Sequence, residues 1–577
     1  MSNWNSKKYF TVYLPLLLAI AVIAGMFLGK TLNNNEISDR FFIYPQTNKL
    51  NAIMNYIESD YVDSVTKKEL IEGVIPSILK NLDPHSVYIP AEEMQEVNEP
   101  LEGNFDGIGV QFNIQKDTIV VVRTIPGGPS AMVGIQDGDR IVKIADSLVA
   151  GVNISTDAVM DALRGPKGTK VDVSIARKSH DELLDFTITR DQIPLYSVDV
   201  AYMVNPKTGY VKISKFAKNT HQEFVNKIVK LKEKGMEKIL LDLRGNSGGY
   251  LDAAIDIADE FLEDGKLIVY TKGRSRPQMN SYATEKGLLH NTQVVVLIDE
   301  WSASASEIVA GAIQDNDRGK IIGRRSFGKG LVQEQKMFSD GSSVRLTIAR
   351  YYTPTGRSIQ KSYENGNDDY YRDINKRMMH GEFIEKDSIH FNDSLKYVTA
   401  GGNIVYGGGG IMPDIFVPTD TTGTSDYLAK VTRKGLSYEF AFDYADKNRE
   451  VLSKFKEYEN LKAYLDKLPV LEKFVAYAEK NGLKKDKQGI EASEKVLETQ
   501  LKALIARNIL DNEGFYPIIH EIDATFQKAL QIIRDMEKMQ ALLEQKDYKE
   551  HIAVWMLPYI IETTEENRMF YAAGITG

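Results

Sequence analysis

Between Trp301 and Gln333 the chain reads WSASASEIVAGAIQDNDRGKIIGRRSFGKGLVQ. Three serines fall two apart at the mouth of an apolar run, and a lysine stands later between two glycines. A serine hydroxyl is a nucleophile only when a base takes its proton. Ser304 and Glu307 also fit the S-x-x-E pattern that caps an ordinary helix, with Ile308, Val309, Ala312 and Ile313 as its buried side. Position argues for chemistry. Ser304 follows the all-apolar run QVVVLID, which places it at the carboxyl edge of a sheet, where α/β proteins gather ligands. A helix start there also offers free N–H groups to an oxyanion.

Lys329 is the better base within reach of the pattern. It enters a strand in which residues 329, 331 and 333 share one face. To accept a proton it must be neutral, so its pKa must fall by roughly 3 units from about 10.4, or about 4 kcal/mol. Burial against an apolar wall does that. Gln333 orients the amine without the charge that a carboxylate would add. The competing reading is a strand-edge lysine whose stem covers apolar surface. Of eight histidines, His221 and His290 lie between 196 and 379 and are the alternative bases. Gly323 to Lys329 also resembles a phosphate loop, but Gly330 replaces the hydroxyl residue and a strand pattern follows where a helix is required. DLRGNSGG, Asp242 to Gly249, reads as a strand-to-helix turn whose N–H groups face an anion. With Ser304 as nucleophile, the Ala305 N–H with Gly248 or Gly249 forms an oxyanion hole.

The elements that must hold these residues follow in order. Residues 37–100 carry helical periodicity. A glycine-punctuated β-rich unit spans 101–190. From 191 to 420 strands alternate with helices, the pattern of an α/β domain. Within it, 361–402 is polar and aperiodic and reads as an insertion. Residues 421–577 are mostly helical, with a surface available for a homodimer contact. The chain has 577 residues and a net charge of −9, which gives no general attraction to nucleic acid. It has no cysteine, so disulfides, thiolate metal sites and a thiol nucleophile are excluded. No metal or cofactor is expected. Phe10 to Leu28 carries no charge and follows Lys7 and Lys8. Residues 1–36 are therefore expected to be an uncleaved anchor or a signal, a single pass that leaves the body on the extracytoplasmic, periplasmic side.

Six motifs taken in order, DPHSVY, GIGVQF, PSAMVGIQDGDRIVKI, DLRGNSGG, SASASE and FGKGLVQ, resemble the C-terminal processing peptidases, or tail-specific proteases. The resemblance covers about 48 to 417. It implies a crotonase- or Clp-protease-like α/β core with an N-terminal helical segment, an inserted PDZ-like domain and a C-terminal helical domain. It implies a Ser-Lys dyad of Ser304 and Lys329, with Gln333 positioning the lysine. In the PDZ-like unit, Gly107, Ile108, Gly109 and Val110 would bind the terminal carboxylate of a polypeptide, added as a strand. Trp301 and Asp299 stand where the family often has Gly and Asn. The function so implied is a membrane-anchored serine endopeptidase acting on C-terminal tails of exported proteins. The alternatives are a catalytically silent PDZ adaptor on a protease-like fold and a crotonase-type acyl-transfer protein.

Overall fold

The computed structural model describes residues 6–32, 49–389 and 392–545, in two units divided after Asn81. In the first, helices span Ser6–Leu32, Lys49–Asp60 and Lys67–Lys80. Thr66 and Glu69 form a reciprocal capping box at the start of the last. The structure overturns the expected single membrane pass through Phe10–Leu28, and with it the placement that rested on it. Among the described residues, no helix is long and apolar enough to cross a membrane.

The second unit is built on a six-stranded sheet. Its order is Val198–Asn205, Thr208–Ile213, Lys238–Asp242, Gln293–Ile298, Lys320–Gly323 and Ile415–Phe416. The first pair is antiparallel and the rest are parallel. Strands buried on both faces need near-continuous apolar sequence, and KILLD and QVVVLI supply it. Ile239, Leu241, Val294 and Val296 point to one face. There they pack with Phe224, Ile257 and Val309 from the helices Thr220–Glu233, Leu251–Asp259 and Ala305–Asp315. Leu240, Val295 and Leu297 point to the other, where Phe526, Ala529, Ile532 and Ile533 of the helix Ala524–Gln545 cover them. Each such aliphatic side chain, fully buried, contributes about 1.5–3 kcal/mol.

A second, antiparallel sheet runs Val87–Ile89, Ser343–Tyr352, Leu267–Lys272, Met279–Tyr282, with Leu331–Met337 also paired to Ser343–Tyr352. A third, over Val110–Thr189, closes on the helix Thr156–Leu163 around Ile119, Val121, Ile141, Val159 and Val173. The segment 361–402 holds the helix Asn367–Met379 and a short hairpin, Lys396–Val398 with Ile404–Tyr406. The helices from Asp426–Arg433 to Asn512–Ile519 pack on their own core, which includes Phe440, Phe474, Leu497 and Leu501.

Candidate active site

Ser304 sits where the buried strand Gln293–Ile298 breaks into the helix Ala305–Asp315. Its φ of 55° and ψ of −112° are sparsely populated for a residue with a Cβ, a conformation that costs of order 1–3 kcal/mol and persists only where neighbours enforce it. The flanking serines supply that enforcement. Ser302 Oγ donates to the Leu243 carbonyl at 2.9 Å, and Ser306 Oγ donates to the Asn246 carbonyl at 2.9 Å. Both acceptors belong to the DLRGNSGG turn, so the outer serines fasten that turn to the segment carrying the middle one. Asp299 adds to the fastening: its Oδ1 accepts the Gly245 N–H at 2.9 Å and the Trp301 and Ser302 N–H groups at 3.1 Å.

The glycines of the turn are required by close approach. A Cβ on Gly248 would lie 2.8 Å from Ser304 Cβ and 3.1 Å from the Ala305 nitrogen, and one on Gly249 would lie 2.0 Å from the Phe216 carbonyl oxygen. Gly248 donates its N–H to Asn246 Oδ1 at 2.8 Å and accepts at its carbonyl from Phe216 at 2.9 Å. Because the peptide plane is trans, the Gly249 N–H points opposite to that carbonyl.

Lys329 precedes the strand Leu331–Met337. Its Nζ donates to Gln333 Oε1 at 3.1 Å. The other end of that amide, Nε2, donates to the His85 carbonyl oxygen, which leaves Oε1 as the atom that faces the lysine. His85 is held in turn by the DPHS turn. Asp83 Oδ1 accepts the His85 and Ser86 N–H groups at 2.8 and 2.9 Å and the Thr347 hydroxyl at 3.1 Å. Burial, and then the Arg345 guanidinium, push the Lys329 ammonium below its ordinary range, against Glu307 and Asp83. The His85 imidazole is pushed down to about 4, first by burial and then by Lys329.

Two buried groups bridge the serine and lysine segments. Glu307 Oε2 accepts the Ser304 N–H at 2.8 Å and the Lys329 N–H at 2.9 Å. Its Oε1 accepts the Ser326 hydroxyl at 2.5 Å and the Gly328 N–H at 2.8 Å. Burial raises this carboxyl to about 7, with the four donors pulling the other way. The Tyr351 hydroxyl lies between the Ser304 and Lys329 carbonyl oxygens. Sequence reading took Glu307 only as a helix cap and passed over Tyr351. The S-x-x-E signal was visible; its second partner was not.

The 361–402 segment braces the same loop from behind. Lys361 donates its N–H to the Gly328 carbonyl at 3.0 Å, and its ammonium stacks 3.8 Å from the Phe327 ring and 4.3 Å from the Tyr370 ring. Arg377 donates to the Ser326 and Arg325 carbonyl oxygens at 3.0 and 2.7 Å.

Ser304, Ala305, Gly248, Gly249, Lys329 and Gln333 all line one cavity of about 490 Å³. His221 and His290 lie outside it. His221 bonds to Glu260 at 2.7 Å, which raises its pKa. The strand after Lys329 also removes the helix that a phosphate loop needs. In the β-rich unit, the Ile108 carbonyl accepts the Ser130 N–H at 3.0 Å and the Ser130 hydroxyl at 2.6 Å, and the Gly109 carbonyl accepts the Ile125 N–H at 3.0 Å. Peptide planarity turns the N–H groups of Gly109 and Val110 the opposite way. The adjoining strand Val110–Gln115 is at the edge of its sheet.

Comparisons with known proteins follow the same division. Residues 207–367 match the model of peptidase family S41, residues 96–176 a PDZ domain, and residues 28–93 the activating protease CtpB N-terminal domain. Residues 427–511 match a family of unknown function. The chain is 36% identical to a carboxy-terminal-processing protease of Bartonella bacilliformis, over 59% of this chain and 80% of the relative. It is 32% identical to the carboxy-terminal processing protease CtpA of Bacillus subtilis, over 62% and 76%. Among solved structures, a photosystem II D1 C-terminal processing protease matches 55% of this chain and 91% of its own at 26% identity and a TM-score of 0.32. A serine-lined cavity at a sheet edge, a PDZ domain and this relatedness over four fifths of a known protease lead to one conclusion: the chain belongs to the C-terminal processing peptidases, a family of serine-type peptidases.

Proposed function

We propose that the protein is an endopeptidase that captures the C-terminal tail of a polypeptide in its PDZ domain and cleaves it with a Ser304–Lys329 dyad. The observation that carries the dyad is the orientation of Gln333. Its amide is fixed from behind by the His85 carbonyl and offers an uncharged acceptor to Lys329 Nζ. A neutral amine bonded there keeps a lone pair with which to take a proton.

In this reading Ser304 Oγ attacks the scissile carbonyl as its proton passes to Lys329 Nζ. The tetrahedral oxyanion receives the N–H groups of Ala305 and Gly249; Gly248 spends its own on Asn246. The lysine ammonium then protonates the leaving amine, giving an acyl-enzyme on Ser304 and releasing the C-terminal fragment. Water, deprotonated by Lys329, hydrolyses the ester and restores both groups. For capture, the N–H groups of Gly109 and Val110 take the terminal carboxylate, and the edge strand Val110–Gln115 takes the tail as an added strand.

The test compares wild type with Ser304→Ala on one peptide, as free acid and as C-terminal amide. Cleavage is expected to disappear in the variant. In wild type it is expected to weaken roughly tenfold to a hundredfold on amidation, the loss of a charge-assisted contact. Cleavage by Ser304→Ala would remove the serine from the reaction. Equal cleavage of acid and amide would remove the tail capture.

A further inference from the structure

The catalytic cavity holds a second cation, Arg345, whose only part in the dyad chemistry described above is its charge beside Lys329. Arg345 lies on the central strand of the antiparallel sheet, opposite Gln335, while Gln333 lies opposite Thr347. Alternate residues share a face, so Gln333, Gln335, Thr347 and Arg345 form one polar patch. Arg345 stands about 7 Å along the strand from the residue that orients Lys329. Both Arg345 and Lys329 line the cavity that contains Ser304.

A half-buried guanidinium is ordinarily matched by a carboxylate, because desolvating a charge costs several kcal/mol. Among the described residues Arg345 has no ion pair; its side-chain partner is the neutral Gln335 Oε1, at 2.8 and 3.3 Å. Burial lowers its pKa, and no carboxylate opposes that. Glu102, which lines the same cavity, is already engaged by Lys218 at 3.3 Å and by the Tyr250 hydroxyl at 3.1 Å. Among the described residues, other buried guanidinium groups are either paired with a carboxylate or, like Arg318, saturated by the carbonyl oxygens of Phe261, Leu289, His290 and Thr292. Arg357 pairs with Asp315 at 2.6 Å, and Arg244 pairs with Asp242 and Asp523 at 2.6 and 2.7 Å.

We infer that Arg345 is a carboxylate-binding subsite of the catalytic cavity, which receives an acidic group of the polypeptide substrate within about two residues of the scissile bond. The inference rests on the dyad reading above. A bidentate guanidinium–carboxylate pair fits a group presented edge-on by an extended chain. The carboxylate has two sources, an Asp or Glu side chain or the chain terminus itself. The first is the assignment, because the PDZ loop already provides for the terminus.

The experiment measures kcat/KM on a peptide series in which Glu is moved through the positions flanking the cleaved bond, each paired with its Gln counterpart and each made as free acid and amide. At one position Glu is expected to exceed Gln by roughly tenfold to a hundredfold in wild type. That preference is expected to fall below about threefold in Arg345→Gln and to return in part in Arg345→Lys, which keeps charge but loses the fork. The peptide arm needs no protein variant, so it stands even if Arg345→Gln folds poorly, which its melting curve reports. Ser304-dependent cleavage with no Glu preference at any position overturns the subsite and leaves the dyad intact. So does a Glu preference that survives Arg345→Gln. A preference that follows free acid against amide, and not the side chain, assigns Arg345 to the terminus and overturns the side-chain assignment. Cleavage that persists in Ser304→Ala overturns the dyad reading instead.

Discussion

Two junctions in this molecule are held by opposite means. Where the Ser304 and Lys329 segments meet, the fasteners are buried and multiple: one carboxyl accepts four hydrogen bonds, and a tyrosine hydroxyl lies between two backbone carbonyls. Where the PDZ domain meets the C-terminal helical domain, the fasteners are ion pairs that reach water. Arg140 and Lys178 converge on Asp446 at 3.0 and 2.8 Å, and Lys116 and Arg123 approach Asp443 and Asp511 at 3.5 and 3.3 Å. The apolar cores of these two domains remain separate clusters. Buried charge-assisted bonds hold geometry to a fraction of an ångström, whereas exposed pairs contribute little and are screened by salt. The Ser304–Lys329 junction is fastened by buried bonds and the PDZ domain by pairs whose cations reach water.

The largest effect expected from breaking the rigid junction is at its base. Lys329→Arg keeps the charge and most of the length, but a guanidinium does not deprotonate in proteins. Activity is expected to fall at least about a thousandfold, as far as in Lys329→Ala, with melting near that of wild type. Near-normal turnover by the arginine variant would make the lysine a bystander. The sign of the pH profile follows from the same requirement. Burial depresses the Lys329 pKa, and each pH unit below it removes nine tenths of the remaining neutral amine. In wild type kcat/KM is therefore expected to rise tenfold per unit and level at an apparent pKa below the ordinary lysine range. A profile that is flat on the acid side sinks the lysine base.

Next in size is the clamp. Glu307→Gln preserves shape but turns one acceptor oxygen into a donor. Whichever oxygen is replaced, at least one backbone N–H, that of Gly328 or those of Ser304 and Lys329, loses its acceptor, since only the Ser326 hydroxyl among the four partners can turn to accept. A stranded buried donor costs about 1–3 kcal/mol. Turnover and melting temperature are expected to drop together. The pH dependence isolates the carboxyl. Its folded pKa is about 7, above the ordinary 4.5, so between these values the folded protein holds a proton that the unfolded chain releases. Its stabilising contribution is complete below about 4.5 and is lost as pH rises through about 7. The difference in stability between wild type and Glu307→Gln is expected to change across that window. A constant difference would mean that Glu307 stays in one protonation state.

How far these junctions were legible in the sequence differs for the same physical reason. The core strands announce themselves because burial on both faces demands unbroken apolar runs, and the glycine turn because only glycine tolerates a neighbour at 2.8 Å. Residue type and spacing single out Ser304, Lys329 and Gln333, and the fold brings all three to one cavity. Glu307 was seen as a cap, since the local half of its bonding is three residues long while the half reaching Gly328 and Lys329 spans about twenty. The helix Asn367–Met379 was missed. It buries Tyr370 and Arg377, seven residues apart, and starts from Gly366 with no side-chain cap; without an aliphatic stripe no period shows. Phe526, Ala529 and Ile533 did show one, but a stripe does not say what it covers, and the strand residues Leu240, Val295 and Leu297 that they close on lie more than two hundred residues earlier. The Ser304 and Lys329 patterns are local in sequence. The supports are not, because they are made by distance in space.

The smallest effect sharpens the comparison from its loose side. Asp446 is the shared partner of Arg140 and Lys178. Burial pushes its carboxyl up, but hydrogen bonds from Lys178 and Arg140 outweigh that and hold it below the usual carboxylate range. Asp446→Asn keeps volume and removes the charge. The Asp446 side chain is 9% exposed, but Lys178 is 62% and Arg140 30% exposed, so the pairs are worth about 1–2 kcal/mol in total. Melting should shift by no more than about 4 °C. Amide exchange at the facing PDZ segment, Gly138 to Arg140 and Arg177 to Lys178, should accelerate, while exchange near Ser304 stays as it was. Salt supplies the internal control. Raising ionic strength should reproduce the acceleration in wild type and add less in Asp446→Asn, where the Lys116–Asp443 and Arg123–Asp511 pairs are what remains to be screened. If the variant destabilises the Ser304 region as much as the PDZ edge, the two junctions are one cooperative unit and the contrast between them fails.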